Sequence, residues 1–289
     1  MKDSMKIICA SFLSLAMTVA HAQSNYGSNQ AAAKYVENKG ARIYYEVYGS
    51  GRPLLLLHGD LFGYIDEYAA YIPVLSRHFK VIAMATRGHG RSTLGTEAFS
   101  YPLMAEDAFK VLRQESFDSA VVIGFSGGGI TGLNLAANHA GAVRQLVIMG
   151  SAMSTSDYRP EALAELQKTN ADTLQKRYSG LIASRIKLMP DAARFPDLIE
   201  KLKAKWASGD FVLPGKVSDI QCQVLVIGGD SDEYFPIESF VATYRKLNRP
   251  RLAIVPGTTH VGLLQNPWIL DRIILPFLNI QSGTNNITD

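Results

Sequence analysis

Cysteine is scarce in this chain: 289 residues carry only Cys9 and Cys222. Two cysteines cannot build a disulfide framework or a cysteine-based zinc site. Charge is also thin, with 19% charged residues and 29 Lys+Arg against 26 Asp+Glu. The resulting formal charge of +3 is too dilute to make the basic footprint a nucleic-acid binder needs. What is plentiful is apolar: 47% of residues are hydrophobic, which excludes a disordered chain. The length suits one large α/β domain or two small ones, each able to bury a core.

The longest uncharged apolar run, Ile7 to Ala20, has about 14 residues, short of the roughly 20 that cross a bilayer. Lys2 and Lys6 precede it, and Ala20-His21-Ala22 supplies the small–x–small pattern that a signal peptidase reads. Residues 1–22 therefore read as a signal peptide, with Gln23 as the first mature residue and export to the periplasm or the medium as the destination. A retained membrane anchor is the alternative. Removing 1–22 removes Cys9, so the mature chain would have no internal disulfide and would rely on packing. Cys222, in the apolar run Cys222–Ile227, takes a packing role.

Strand signals begin at Arg42–Tyr48, rich in aromatic and β-branched residues, and continue with Leu54–Leu57, apolar on both faces as a buried parallel strand should be. Similar runs follow at Lys80–Ala85, Ala120–Gly124, Gln145–Met149, Gln223–Ile227 and Arg251–Val255. Between them, helical spacing covers Tyr64–Arg77, Pro102–Glu115, Gly128–His139, Pro236–Leu247 and Pro267–Leu278. This alternation predicts an α/β fold with a mostly parallel central sheet flanked by helices. The interval 151–218 has no strand signal. Its helical stretches Glu161–Thr169, Ala171–Met189 and Phe195–Ala207 read as a lid of about 65 residues inserted after the sixth strand. The core then falls in two parts, 23–150 and 219–289.

The strongest local motif is Gly124-Phe125-Ser126-Gly127-Gly128, a G-x-S-x-G with a strand before it and a helix after it. A serine on so sharp a turn leaves no room for side chains two positions away, which is what Gly124 and Gly128 provide. The bland reading is a close-packed or phosphate-holding glycine turn, but no Walker lysine accompanies it. His58-Gly59-Asp60 ends another buried strand, where open parallel sheets bind ligands. There the amide of Asp60, with that of Gly127, would form an oxyanion hole. His58 itself reads as a structural loop residue. Two further strands end in Asp230-Ser231-Asp232 and in a loop carrying His260. Turn or capping duty is the bland reading for the acids, and a hydrogen-bonded structural histidine for His260. The order Ser126…Asp…His260, each at a strand end, is that of a hydrolase triad.

With these motifs the chain resembles the α/β-hydrolase family from about Lys34 to Ile280, and most closely its small-lid group of esterases, C–C hydrolases and perhydrolases. Thr86-Arg87-Gly88-His89-Gly90-Arg91-Ser92 is similar to the family's arginine–glycine loop, with Arg87 and His89 structural. The resemblance prefers Asp232, four residues before Pro236, to Asp230 as the triad acid. It implies an esterase acting on small to medium esters, lactones or thioesters, needing no metal or organic cofactor. A serine nucleophile sets the chain apart from the family's epoxide hydrolases and haloalkane dehalogenases. The small-molecule ester would be the partner; nothing points to nucleic acid, a stable membrane anchor or a particular oligomeric state. C–C hydrolysis, amide cleavage or perhydrolysis on the same triad, or a ligand-binding protein with a vestigial triad, are the alternative readings.

One departure concerns Asp60, where the family commonly has glycine or an apolar side chain. A carboxylate beside a developing negative charge is unfavourable, so its side chain should turn away, bond a neighbour, or face the pocket and select a cationic or hydroxyl-bearing substrate. In the lid, Leu163, Leu166, Leu174, Tyr178, Leu181, Ile182, Ile186, Leu188 and Met189 read mostly as packing. Arg185, Lys187, Lys201, Lys203 and Lys205 read as a solvated face.

Overall fold

Runs that are apolar on both faces become central strands buried on both faces, and the sheet they build has eight strands in all. The structure is a computed structural model that describes residues 25–281; the stretch 1–22 read as a signal peptide, Cys9 included, lies outside the described residues. The strands are β1 (Ala33–Asn38), β2 (Ala41–Tyr48), β3 (Pro53–Leu57), β4 (Lys80–Met84), β5 (Ala120–Phe125), β6 (Val143–Met149), β7 (Gln223–Gly229) and β8 (Pro250–Val255). Their order across the sheet is β1-β2-β4-β3-β5-β6-β7-β8. Antiparallel pairing is confined to β1 with β2 and β2 with β4. The other strands run parallel.

The α/β expectation holds, with one strand added. Ala33–Asn38 carries exposed Lys34, Tyr35 and Glu37, so it lacks the two-faced apolar signal. Its backbone pairs with β2 from Ala33↔Glu46 to Asn38↔Ala41. Counting it makes β6 the sixth strand, and the helical insertion follows β6.

The α-helices before β8 are α1 (Ile72–Leu75), α2 (Tyr101–Gln114), α3 (Gly127–Asn138), α4 (Pro160–Lys168), α5 (Ala171–Arg177), α6 (Ser179–Leu188), α7 (Phe195–Trp206), α8 (Pro214–Val217) and α9 (Ile237–Lys246). Three predicted helices are more broken than their spacing suggested. Tyr64–Arg77 contains only a 3₁₀ turn at Ile65–Tyr68 and the short α1. Ala171–Met189 splits at Tyr178, which has non-helical dihedrals (φ −129°, ψ 43°) before Ser179-Gly180. Pro267–Leu278 passes through a π turn at Leu270–Ile274 just before Pro276, whose missing N–H interrupts an α ladder.

Two apolar layers sandwich the sheet. Along β3, alternate leucines serve opposite sides: Leu55 and Leu57 join the layer containing α2 and α3, while Leu54 and Leu56 join the layer with Tyr68 and Tyr71. Each of these four leucines is at most 1% exposed, and burying such a side chain stabilises the fold by roughly 1.5–3 kcal/mol. Register then sets the site. Leu57 lies beside Gly124, Phe125 beside Met149, Met149 beside Ile227, and Gly229 beside Val255. The carboxyl ends of β3, β5, β6, β7 and β8 therefore finish together along one edge of the sheet. Among the described residues no helix is long and apolar enough to cross a membrane.

Candidate active site

The sharp turn expected between β5 and α3 is present. Ser126 has φ 50° and ψ −122°, a conformation that costs a side-chain-bearing residue on the order of 1–3 kcal/mol. The fold holds it there: the Ser126 amide donates to Met149 O at 2.8 Å, and Ser151 Oγ donates to Ser126 O at 2.8 Å. The flanking glycines are obligatory. A Cβ on Gly124 would lie 2.4 Å from Gly128 O, and one on Gly128 would lie 2.0 Å from Leu57 O. The run Gly127–Gly132 also spells G-x-G-x-x-G, but all of it lies within α3, past the turn where a dinucleotide fingerprint would place its first glycine.

Of the two acids after β7, Asp232 meets the histidine. His260 Nδ1 donates to Asp232 Oδ2 at 2.8 Å. The other oxygen, Oδ1, accepts from the amides of Tyr234 at 2.8 Å and Phe235 at 3.0 Å, so the carboxylate cannot rotate without losing three bonds. Asp232 is 1% exposed and His260 5%. Asp230 sits at the surface, where its Oδ1 accepts from the Gly257 amide and Ser231 Oγ, a loop-fastening role. With Nδ1 committed, Nε2 is the ring nitrogen of His260 available as a base. His260 and Ser126 line the same cavity.

The loop after β3 brings its groups to the same place. His58 Nδ1 donates to Gly59 O at 2.6 Å and Nε2 accepts from the Thr86 amide at 2.9 Å. Burial, with His89 nearby, pushes its pKa down to about 3. It is a neutral structural post, as read from the sequence. Neither the Asp60 amide nor the Gly127 amide donates to an acceptor among the described residues. The Asp60 side chain bonds neighbours. It accepts from Lys205 Nζ at 2.6 Å, Trp206 Nε1 at 2.8 Å and the Tyr101 hydroxyl at 3.0 Å. Burial alone would raise its carboxyl, but the Lys205 ammonium and the bonds from Lys205 and Trp206 hold it below the usual range. The carboxylate also rests on Gly127: a Cβ there would lie 2.3 Å from Asp60 Oδ1.

A family model described as the alpha/beta hydrolase fold matches residues 52–267. The chain belongs to the α/β-hydrolase family. It is 25% identical over 262 residues to a 2-hydroxy-6-oxo-6-(2'-aminophenyl)hexa-2,4-dienoic acid hydrolase of Metapseudomonas resinovorans, covering 85% of this chain and 90% of that protein. A solved serine hydrolase involved in carbazole degradation superposes with a TM-score of 0.69 at 26% identity, covering 86% of this chain and 98% of that one. A thermophilic esterase from Thermogutta terrifontis shares the fold with a TM-score of 0.64 at 21% identity, over 86% of this chain and 98% of that one.

In this α/β-hydrolase the helical insertion roofs a cavity of about 510 Å³ over Ser126. Rings of Phe62, Phe125, Tyr158, Tyr178, Trp206 and Tyr234 line it. Leu166, Tyr178 and Leu181 of the insertion reach it, while Leu174 and Ile182 are buried in packing.

Two of the basic residues assigned to a solvated face are not there. Lys205 is fully buried, its ammonium on Asp60 and 4.3 Å from the centre of the Tyr101 ring. Arg185 donates to both oxygens of Asp66, at 2.7 and 2.9 Å, and to Phe62 O at 2.8 Å. Helical spacing carried the signal for Lys205: Leu198, Leu202, Lys205 and Trp206 share the buried face of α7. Lys187 is exposed; Lys201 and Lys203 are half-buried, with Lys201 on the carbonyls of Thr96 and Glu97 and Lys203 on Glu200.

Sequence reasoning also passed over Glu67. It sits on the 3₁₀ turn between buried Ile65 and Tyr68 and lines the cavity. Its Oε2 accepts from the Gly59 amide at 3.0 Å. Burial pushes its carboxyl up to about 7 against the opposing pull of the Gly59 amide and Arg185. The only hint in the sequence was an acid enclosed by Tyr64, Ile65, Tyr68 and Tyr71. Among the described residues no cluster of three or more His, Cys, Asp or Glu is arranged to hold a metal ion.

Proposed function

We propose that the protein is an exported serine hydrolase that cleaves carboxylic esters of small to medium size through an acyl-enzyme intermediate. The observation that carries this is the 2.8 Å Asp232–His260 bond at a cavity shared with a backbone-strained serine. Ser126 Oγ attacks the acyl carbon as His260 Nε2 takes its proton; the proton then passes to the leaving alcohol. Asp232 keeps the ring in the tautomer that leaves Nε2 free and stabilises the cation formed in between. The free amides of Asp60 and Gly127 stabilise the tetrahedral oxyanion. A water molecule, deprotonated by His260, repeats the sequence and releases the acid.

Cleavage of a C–C bond in a dienoic acid, the class named for the Metapseudomonas relative, has less support. An anionic substrate calls for an uncommitted cation, and Arg185, the arginine or lysine among the described cavity-lining residues, is held by Asp66. Export rests on the pattern of residues 1–22 and predicts a mature protein starting at Gln23, checked by intact mass.

The test is a panel of p-nitrophenyl esters of rising chain length, with and without a serine-directed phosphonate. Turnover, stoichiometric labelling at Ser126 and loss of both in Ser126→Ala are expected. Labelling with no ester turnover would overturn the esterase reading in favour of another acyl acceptor or bond.

A further inference from the structure

Resting on the reading of Ser126 as an ester-cleaving nucleophile, we propose that Glu67 selects the substrate. Its second carboxyl oxygen receives a hydroxyl or ammonium hydrogen carried near the scissile carbonyl, and the group turns away substrates bearing a carboxylate.

Three observations carry this. First, position: Oε2 of Glu67 is anchored on the Gly59 amide at 3.0 Å, and Gly59 lies against the nucleophile, since a Cβ there would sit 3.5 Å from Ser126 Cβ. Second, vacancy of bonding: Oε1 of Glu67 has no protein partner among the described residues and is not among their buried unpartnered atoms, and Glu67 lines the cavity. Third, charge balance. Asp60 is neutralised by Lys205, Arg185 by Asp66, and His260 is paired with Asp232. Glu67 has no such counter-ion. An acceptor held so close to a reacting centre and left open is suited to a donor on the substrate, because a polar group that stays unpaired once the cavity closes around a ligand is costly. Burial keeps part of its population protonated near neutrality, and a bound ammonium would draw off that proton.

The test compares p-nitrophenyl esters of near-equal size: 3-methylbutanoate, 3-hydroxybutanoate, 3-aminobutanoate and the hemiester of succinate. In the wild-type protein, kcat/KM for the hydroxyl and ammonium esters should exceed that of the methyl ester by about tenfold, with the hemisuccinate poorest. Glu67→Gln keeps an oxygen for the Gly59 amide but no charge. It should cut the ammonium-to-methyl ratio by about tenfold and raise the hemisuccinate-to-methyl ratio by a similar factor. A uniform change across all four esters would show a merely structural residue and overturn the proposal. The wild-type ratios decide the matter alone if the variant does not fold: equal rates on all four overturn it. Absence of turnover on every ester would instead overturn the esterase reading beneath it.

Discussion

On the sheet side of the cavity, Ser126, Asp232 and His260 stand at the ends of β5, β7 and β8, fixed by backbone. The strained turn is clamped by Met149 O and Ser151 Oγ, and the acid by two amides. Beside them, after β3, come Asp60, Asp66 and Glu67, and two of these are tied to the helical insertion by ion pairs spanning 145 and 119 residues. The first set is held through local chain geometry; in the second, Asp60 and Asp66 are held by matching charges drawn from far along the chain. The first tolerates almost no change in residue type. The second should tolerate paired changes that neither partner tolerates alone.

The largest break is expected on the sheet side. If Ser126, His260 and Asp232 are the triad proposed, Ser126→Ala should lower kcat for p-nitrophenyl esters by at least about 10⁴-fold without lowering the melting temperature, because triad members act as a unit. Asp232→Asn, which favours the wrong tautomer of His260, should cost about 10⁴-fold in kcat; a variant within tenfold of wild type would transfer the role to another acid.

The helical side yields a prediction of a different kind. Lys205→Met leaves a buried carboxylate beside the proposed oxyanion hole. Urea unfolding should report a loss of about 3–5 kcal/mol, with kcat falling alongside. Adding Asp60→Asn should recover most of the stability and part of kcat. Strict additivity of the two single variants would show that the pair is not coupled and would erase the contrast between the two sets.

The smallest effect is one of pH. Folding raises the Glu67 carboxyl from 4.5 to about 7, so between those values the folded protein binds its proton more tightly than the unfolded chain does. The stabilisation from this group is complete below pH 4.5 and is lost as pH rises through 7. Glu67→Gln should flatten that part of the stability–pH curve. An unchanged slope in urea titrations from pH 4.5 to 7 would place the carboxyl in ordinary solvent.

The same contrast explains what could be read from the sequence. Ser126, its glycines and the strand-end positions of Asp232 and His260 follow from short-range rules: which side chains a turn admits and how apolar strands alternate with helices. Lys205 looked like one of several solvated lysines because its partner lies 145 residues away, although its place on the apolar face of α7 recorded its burial. β1 escaped because its order comes from pairing with β2, not from an apolar face. The break at Tyr178 and the π turn before Pro276 belong to helices whose spacing is sound but whose backbone is interrupted locally.

The carboxylate of Asp60 fills the space that any side chain at 127 would need. The two positions are therefore linked sterically. A larger residue at 127, next to Ser126, requires the acid at 60 to shrink first, and an acid arriving at 60 requires a glycine already in place at 127. Directed evolution of this hydrolase-family protein should find useful variants at these two codons only when both are randomised in one library.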